Sequence, residues 1–410
     1  VESDSYIAPF KKVKDATIKN LRTEGEIHSS THYLSGLITE AYGKTTITGC
    51  VSNVDIKSSY TGDGCAAAGM ISYIGSSANV TITDCIVKGK FHATTENGKE
   101  GMGGFVYGQN GTCTLTRCLY AGTNNASGGY TFASDSDPKA TTTLNNCYYL
   151  NPCGEAQGTP TTAEQLASGY VAWMLQSGRA ENVWGQTLGT DNEPLPTTDA
   201  TKRVYEVKFT YNGEVKATRY ANSGKTVELP TAEELLGTGY NPKMTYTLNF
   251  GNFTATTPVT EDKSVDVTVT GTFDIATAAD WKEFCALVNG GQTTLNAKMT
   301  ADVDLGTDIA KVGTANKPYA GTFDGQNHVL TVNWDAGSVN NIAPFGRVNG
   351  ATIKNLRTEG SIRSNSFYLS GLIDEAIGEN TVTGCVSNVN LTISYDKSSC
   401  GAAGLICCLF

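Results

Sequence analysis

Ile18-Lys-Asn-Leu21, Ile47-Thr-Gly-Cys50, Ile82-Thr-Asp-Cys85, Leu115-Thr-Arg-Cys118 and Leu144-Asn-Asn-Cys147 share one pattern: apolar, variable, polar, apolar. The last residue recurs at spacings of about 29, 35, 33 and 29, within the range of solenoid repeats. Each stretch reads as a strand, a sharp bend at the polar residue, and a second strand that starts inward again. The bends fall at Asn20, Gly49, Asp84, Arg117 and Asn146. Asn, Asp and Gly suit such a bend because they tolerate left-handed backbone angles or bond to the nearby main chain, and Arg117 is the weak member. A second series, Ser35-Gly-Leu-Ile38, Ala68-Gly-Met-Ile71 and Gly103-Gly-Phe-Val106, predicts another inner wall, its Gly permitting a tight turn or a close backbone approach. One rung cannot bury an apolar face alone, whereas stacked rungs can. The expected fold is therefore all-β, a right-handed parallel β-helix (β-solenoid). Its structural ladder runs inward through Leu21, Cys50, Cys85, Cys118 and Cys147, and resumes at Leu356 and Cys385.

The resumption belongs to a longer repeat. Ile7-Ala-Pro-Phe10 returns as Ile342 through Phe345, Thr17 through Gly25 as Thr352 through Gly360, and Gly49 through Val54 as Gly384 through Val389. The offset is a constant ~335 residues, with roughly 40 of ~75 overlapping positions identical. About one and a fifth copies of a large unit are thus expected, as a window on a longer array.

Three pieces follow. Residues 1–198 read as the later part of one β-helix repeat, with a capping helix at about 161–178 and a linker. Residues 199–273 read as a small β domain, its hairpin marked by Asn212-Gly213. Residues 274–410 read as a capping helix, with Trp281, Phe284, Leu287 and Val288 at helical spacing, followed by the earlier part of the next β-helix repeat, truncated. The helices are expected to cover the ends of the coil stacks.

Composition narrows the partners. The net charge of −10, without a basic run, argues against a nucleic-acid backbone. No apolar stretch approaches the ~18 residues of a membrane-spanning helix. Charged residues make up only 17% while Gly reaches 45, a profile that fits turns and strands better than a helical bundle.

The Ser-Gly-Leu-Ile stretches, the Thr-Ile-x-x-Cys rungs and the opening Gly321-Thr-Phe-Asp-Gly-Gln-Asn-His328 resemble the GLUG-motif surface proteins of gut Bacteroides-type bacteria. The middle segment resembles the B-repeat-like β domains of adhesins and internalins. The resemblance implies a secreted protein at the bacterial cell surface, built of tandem repeats, with an adhesive or structural role. Some GLUG proteins carry a zinc peptidase, but the His-Glu-x-x-His signature of that domain is missing from this sequence.

Candidate chemistry is sparse. His28 and His32 lie four apart without an intervening Glu and read as a solvated loop, since zinc needs three or four converging ligands. Asp302, Asp304 and Asp308 are weak calcium candidates that lack the EF-hand spacing. Asp55, Asp63 and Asp84 fall in the rungs, but the second copy has Asn390 and Ser398 at the first two positions, and no catalytic pair emerges. The inward repeat position predicts buried thiols along the ladder. Disulfide against free thiol stays open for Cys147, Cys153, Cys407 and Cys408. Tyr33, Tyr60, Tyr120, Tyr148 and Tyr149 are candidates for a sugar-stacking stripe.

The expected function is that of a non-enzymatic adhesin, stalk or fibre component without a cofactor. Its expected partners are other copies of itself, which could stack into a filament, or a host or bacterial surface ligand, protein or glycan. The alternative is a carbohydrate-binding or carbohydrate-active β-helix module.

Overall fold

The computed structural model describes residues 5–134, 139–365, 367–394 and 401–410. Strands hold 46% of the chain and helices 10%, which places it in the all-β class. Two compact units form, Val1–Pro230 with Gly251–Asp266, and Thr231–Phe250 with Val267–Phe410.

In the first unit the strands pair in parallel with their counterparts one short repeat away. One sheet runs Thr17–Lys19, Lys44–Thr48, Asn79–Thr83, Thr112–Thr116, Thr141–Asn145. Its register aligns Ile18, Ile47, Ile82, Leu115 and Leu144, the apolar residues that head the five rungs. A second sheet orders Phe10–Lys14, Ile38–Tyr42, Ile71–Ile74 and Val106–Gln109. A third contains Arg22–Ser29, Val51–Ser58, Ile86–Val87, Leu119–Tyr120 and Tyr148–Tyr149. The bends between the first and third sheets have positive φ at every expected position: Asn20 54°, Gly49 65°, Asp84 54°, Arg117 52° and Asn146 52°. Arg117 thus adopts the bend despite its side chain, and its guanidinium donates to the Ser177 carbonyl at 3.2 Å. Gly36 of Ser-Gly-Leu-Ile is a close approach: a Cβ there would stand 2.5 Å from the carbonyl oxygen of Gly69, one short repeat on.

The second unit repeats this order. Thr268–Ile275, Asn296–Met299, Thr322–Asp324, Thr352–Lys354 and Thr381–Thr383 pair in parallel, beside Val303–Asp304, Val329–Asp335, Arg357–Ser364 and Val386–Ile393 in another sheet. Asn355 and Gly384 hold the bends at φ 53° and 63°.

The 199–273 stretch contributes to both units rather than standing as a separate one. Val204–Tyr211 and Glu214–Asn222 form the expected hairpin around Asn212 and Gly213, and Lys263–Asp266 joins them in the first unit. Met244–Asn249 pairs antiparallel with Thr268–Ile275, the strand that begins the parallel sheet of the second unit. The physical reason is continuity: the strand that ends at Ile275 pairs antiparallel with Met244–Asn249 on one side and parallel with Asn296–Met299 on the other.

The helices also depart from the expected end-caps in one case. Ala163–Ala167 starts from a capping box between Thr162 and Gln165, and Tyr170–Gln176 follows. Their Leu166, Val171 and Leu175 pack with Trp184 on Val51, Ile86, Leu119 and Tyr148. Those four residues are in register on successive parallel strands, one position after the ladder. Adjacent strand residues face opposite ways, so this apolar column points away from the ladder side of the sheet and needs a cover of its own. Helix Ala278–Gly290, by contrast, joins the core of the second unit, where Trp281 and Phe284 meet Phe323, Tyr319 and Phe345 edge-on or tilted at 5.6–5.9 Å. Cys285 supplements the expected Trp281, Phe284 and Val288 on its buried face, while Leu287 is half-buried.

Candidate functional site: an aromatic groove on the first unit

The turns ahead of Ile7-Ala-Pro-Phe10 and Ser35-Gly-Leu-Ile38 hold an aromatic residue at positive φ, Tyr6 at 65° and Tyr33 at 60°. A bulky residue in this region costs on the order of 1–3 kcal/mol and persists only where the surroundings fix it. Here the main chain is pinned from both sides: the Tyr33 amide donates to the Cys65 carbonyl at 2.8 Å, and the Tyr33 carbonyl accepts from the Ile7 amide at 3.0 Å.

Pairing one short repeat apart therefore brings aromatic rings to one place. Tyr6 and Tyr33 stack at 4.8 Å with 19° between planes. His32 meets them edge-on at 5.5 and 5.0 Å and lies 5.6 Å from Tyr60, while Tyr73 stands edge-on to Tyr33 at 6.3 Å. The five rings are half-buried, leaving faces open to solvent. Lys11 Nζ sits 5.5 Å from the Tyr6 ring centre. The groove holds a cavity of about 350 Å³ lined by Tyr33, Tyr73, Tyr107 and Tyr130, together with buried Cys65 and exposed Glu100.

Burial pushes the Tyr107 phenol up to about 12 and the Cys65 thiol also to about 12. Burial, reinforced by Tyr6, raises Tyr33. These groups are neutral at physiological pH. The groove consequently offers flat apolar faces with uncharged hydroxyls at their edges, a combination suited to stacking on a ring that carries hydroxyl groups.

Of the five tyrosines expected in a stripe, only Tyr33 and Tyr60 reach this groove. Tyr120 and Tyr148 are buried at 0% and 4% exposure, and Tyr149 packs against the core. Tyr120 faces inward beside Phe91, its hydroxyl accepting from Asn124 Nδ2 at 3.3 Å, so its polar tip is satisfied within the fold. Tyr6, His32, Tyr73, Tyr107 and Tyr130 were not anticipated. The signal for the first was available, since Tyr6-Ile7, Tyr33-Leu34 and Tyr368-Leu369 stand at one register position.

The rung carboxylates are committed elsewhere. Asp55 Oδ1 accepts the Lys90 amide at 2.8 Å, and Asp63 Oδ1 accepts Asn97 Nδ2 at 3.2 Å. Asp84 Oδ1 accepts both Arg179 at 2.7 Å and Trp184 Nε1 at 2.9 Å. Position 398, compared with Asp63 above, lies outside the described residues. His28 bonds Glu26 on an exposed strand, 2.9 Å away, and does not converge with His32.

Asp302 accepts from the Val329 amide at 2.9 Å and faces His328, Asp304 accepts from the Gly306 amide at 2.8 Å, and Asp308 pairs with Lys282. The three calcium candidates thus have separate partners. Among the described residues no group of three or more His, Cys, Asp or Glu side chains is placed to hold a metal ion.

Along the ladder Cys50, Cys85, Cys118, Cys147 and Leu356 are buried, and Leu21 and Cys385 are half-buried. The Cys50 amide donates to Cys85 Sγ at 3.4 Å, and the Cys85 and Cys118 thiols donate to the carbonyls of Thr83 and Thr116. The described cysteines, Cys147, Cys153, Cys407 and Cys408 among them, are free thiols; Cys400 lies outside the described residues. No helix among the described residues is long and apolar enough to cross a membrane. Comparison with protein-family models, with curated proteins and with solved structures finds no match.

Proposed function

We propose that the chain is a non-enzymatic tandem-repeat protein of a bacterial cell surface, an adhesin or stalk component, that engages carbohydrate through the aromatic groove. In this reading the parallel stacks are coils of a right-handed β-helix. Parallel pairing at a one-repeat offset supports the coils, and the strong preference for right-handed parallel crossovers supports the hand. The resemblance to GLUG-motif proteins supports the surface location, and a repeated unit supports lateral or end-to-end association with other copies.

The observation that carries the binding role is the continuous ring surface of Tyr6, His32, Tyr33, Tyr60 and Tyr73. A further support for a non-catalytic role is the engagement of Asp55, Asp63 and Asp84 in main-chain and side-chain bonds.

The test is a glycan array with the full chain, followed by calorimetry on the hits. Tyr33→Ala and Tyr73→Ala are each expected to weaken binding about tenfold, corresponding to ~1.4 kcal/mol, with the melting temperature of Tyr73→Ala retained. Equal binding by both variants removes the groove from the reading, and cleavage products from a bound glycan remove its non-enzymatic part.

A further inference from the structure

Asp374, in strand Ile373–Ile377 of the second unit, is buried at 0% exposure, and neither carboxylate oxygen has a hydrogen-bond partner. A polar group left this way is costly and calls for a reason. The fold does not supply it. The matching position one long repeat earlier is Thr39, equally buried, whose hydroxyl donates to the Lys11 carbonyl. That coil forms without a carboxylate.

The groups facing Asp374 suggest chemistry instead. Lys311, Asn341 and Asp374 line one cavity of about 390 Å³. Lys311 Nζ donates to the main-chain carbonyl of Asn341 at 2.7 Å, so the amine is held at the residue that bears the carboxamide. Asn341 Nδ2 donates to Glu375 Oε1 at 2.9 Å, and Glu375 is held in place by its ion pair with Arg347. At the position of Asn341 the other copy has Tyr6, so the amide as well as the acid is particular to this coil.

We propose that Lys311 and Asn341 join in an intramolecular isopeptide bond, with Asp374 as the acid that moves the proton. Lys311 Nζ attacks Asn341 Cγ, a C–N bond forms, and the bond from Cγ to Nδ2 breaks. Asp374 gives its proton to the departing Nδ2, which leaves as ammonia, and takes up the proton shed by the attacking Nζ. Amine plus primary amide gives secondary amide plus ammonia, with no oxidant, reductant or water consumed. Burial supports the required forms, since it holds the Lys311 amine below its usual range and pushes the Asp374 carboxyl up to about 6. The bond would tie together segments on neighbouring coils and restrict the unfolded chain as a disulfide does. It is independent of glycan binding.

Intact mass spectrometry of the purified full chain tests it. The expected mass is that of the sequence less one ammonia, with a branched proteolytic peptide joining Lys311 to Asn341. Lys311→Arg, which keeps the charge, and Asp374→Ala are both expected to return the unmodified mass. An unmodified wild-type mass overturns the proposal. So does an ammonia loss that survives in Lys311→Arg, because it would report cyclisation at an Asn-Gly pair such as Asn349-Gly350.

Discussion

Asp84 shows how one residue of the repeat acquires a second task. Its left-handed φ makes the bend, as Asn or Gly does in neighbouring short repeats, while its carboxylate accepts from Arg179 and from Trp184 Nε1. Both ends of that arrangement are largely buried, with side-chain exposures of 15% for Arg179 and 7% for Asp84. Removing the acid leaves a guanidinium and an indole N–H without their partner, and the cost of a broken buried pair exceeds what the pair adds over an apolar replacement. Asp84→Ala is therefore expected to lose about 3 kcal/mol in urea unfolding, with a red shift of tryptophan emission as Trp184 loosens. Asp84→Asn keeps the bend and one acceptor and is expected to lose less. Equal losses in the two variants would show that the ion pair with Arg179 is the whole contribution. The bend itself was legible, because Asn, Asp and Gly announce a left-handed residue. The bonds to Arg179 and Trp184 were not, since partners about a hundred positions away leave no local trace.

Among elements, the third sheet of the first unit explains why pattern reading placed the 161–178 helices at a coil end rather than on a side. Cys50-Val51, Cys85-Ile86, Cys118-Leu119 and Cys147-Tyr148 are apolar on both faces. Continuous apolar pairs state that a strand is covered twice without saying by what. The aromatic groove was hidden for a related reason: its rings come from several short repeats and meet only once the register is set. The thiols add a pH dependence to this layer. Burial holds Cys65, Cys153 and Cys285 at about 12 in the folded chain, against 9.0 for a free thiol. Between those values the unfolded chain has shed protons that the folded chain keeps, so the stability from neutral buried thiols is present below about pH 9 and declines as pH rises toward 12. Urea midpoints measured from pH 8 to about pH 11 are expected to fall, and Cys285→Ala is expected to fall less steeply from its lower starting stability. Parallel slopes for the two proteins would mean that Cys285 does not titrate differently in the two states.

At the scale of the whole molecule, the proposed β-helix is a stack of equivalent coils, which differs from other all-β architectures in what it tolerates. Each inner strand of the first sheet is bonded to strands one repeat before and after it, as Ile47, Ile82 and Leu115 illustrate. Stability in such an array approximates a sum of coil terms and nearest-neighbour interfaces. Deleting residues 86–118 joins Cys85 to Leu119 and removes one coil while preserving the inward and outward order of every remaining side chain. Strand Val51–Ser58 then meets Leu119–Tyr120 in the register it used with Ile86–Val87, because Ile86 and Leu119 are partners at the same position. The lateral column retains Val51, Leu119 and Tyr148 beneath Leu166 and Leu175, and Asp84 keeps Arg179 and Trp184. The expected product is a shortened protein with a strand-type circular dichroism spectrum and cooperative urea unfolding at a lower midpoint. A sandwich or closed barrel that lost a comparable central segment would lose pairing partners on both sides of its core. An insoluble or non-cooperative product, with a deletion of residues 87–119 behaving identically, would contradict the equivalence of the coils, since both cuts preserve the same periodicity.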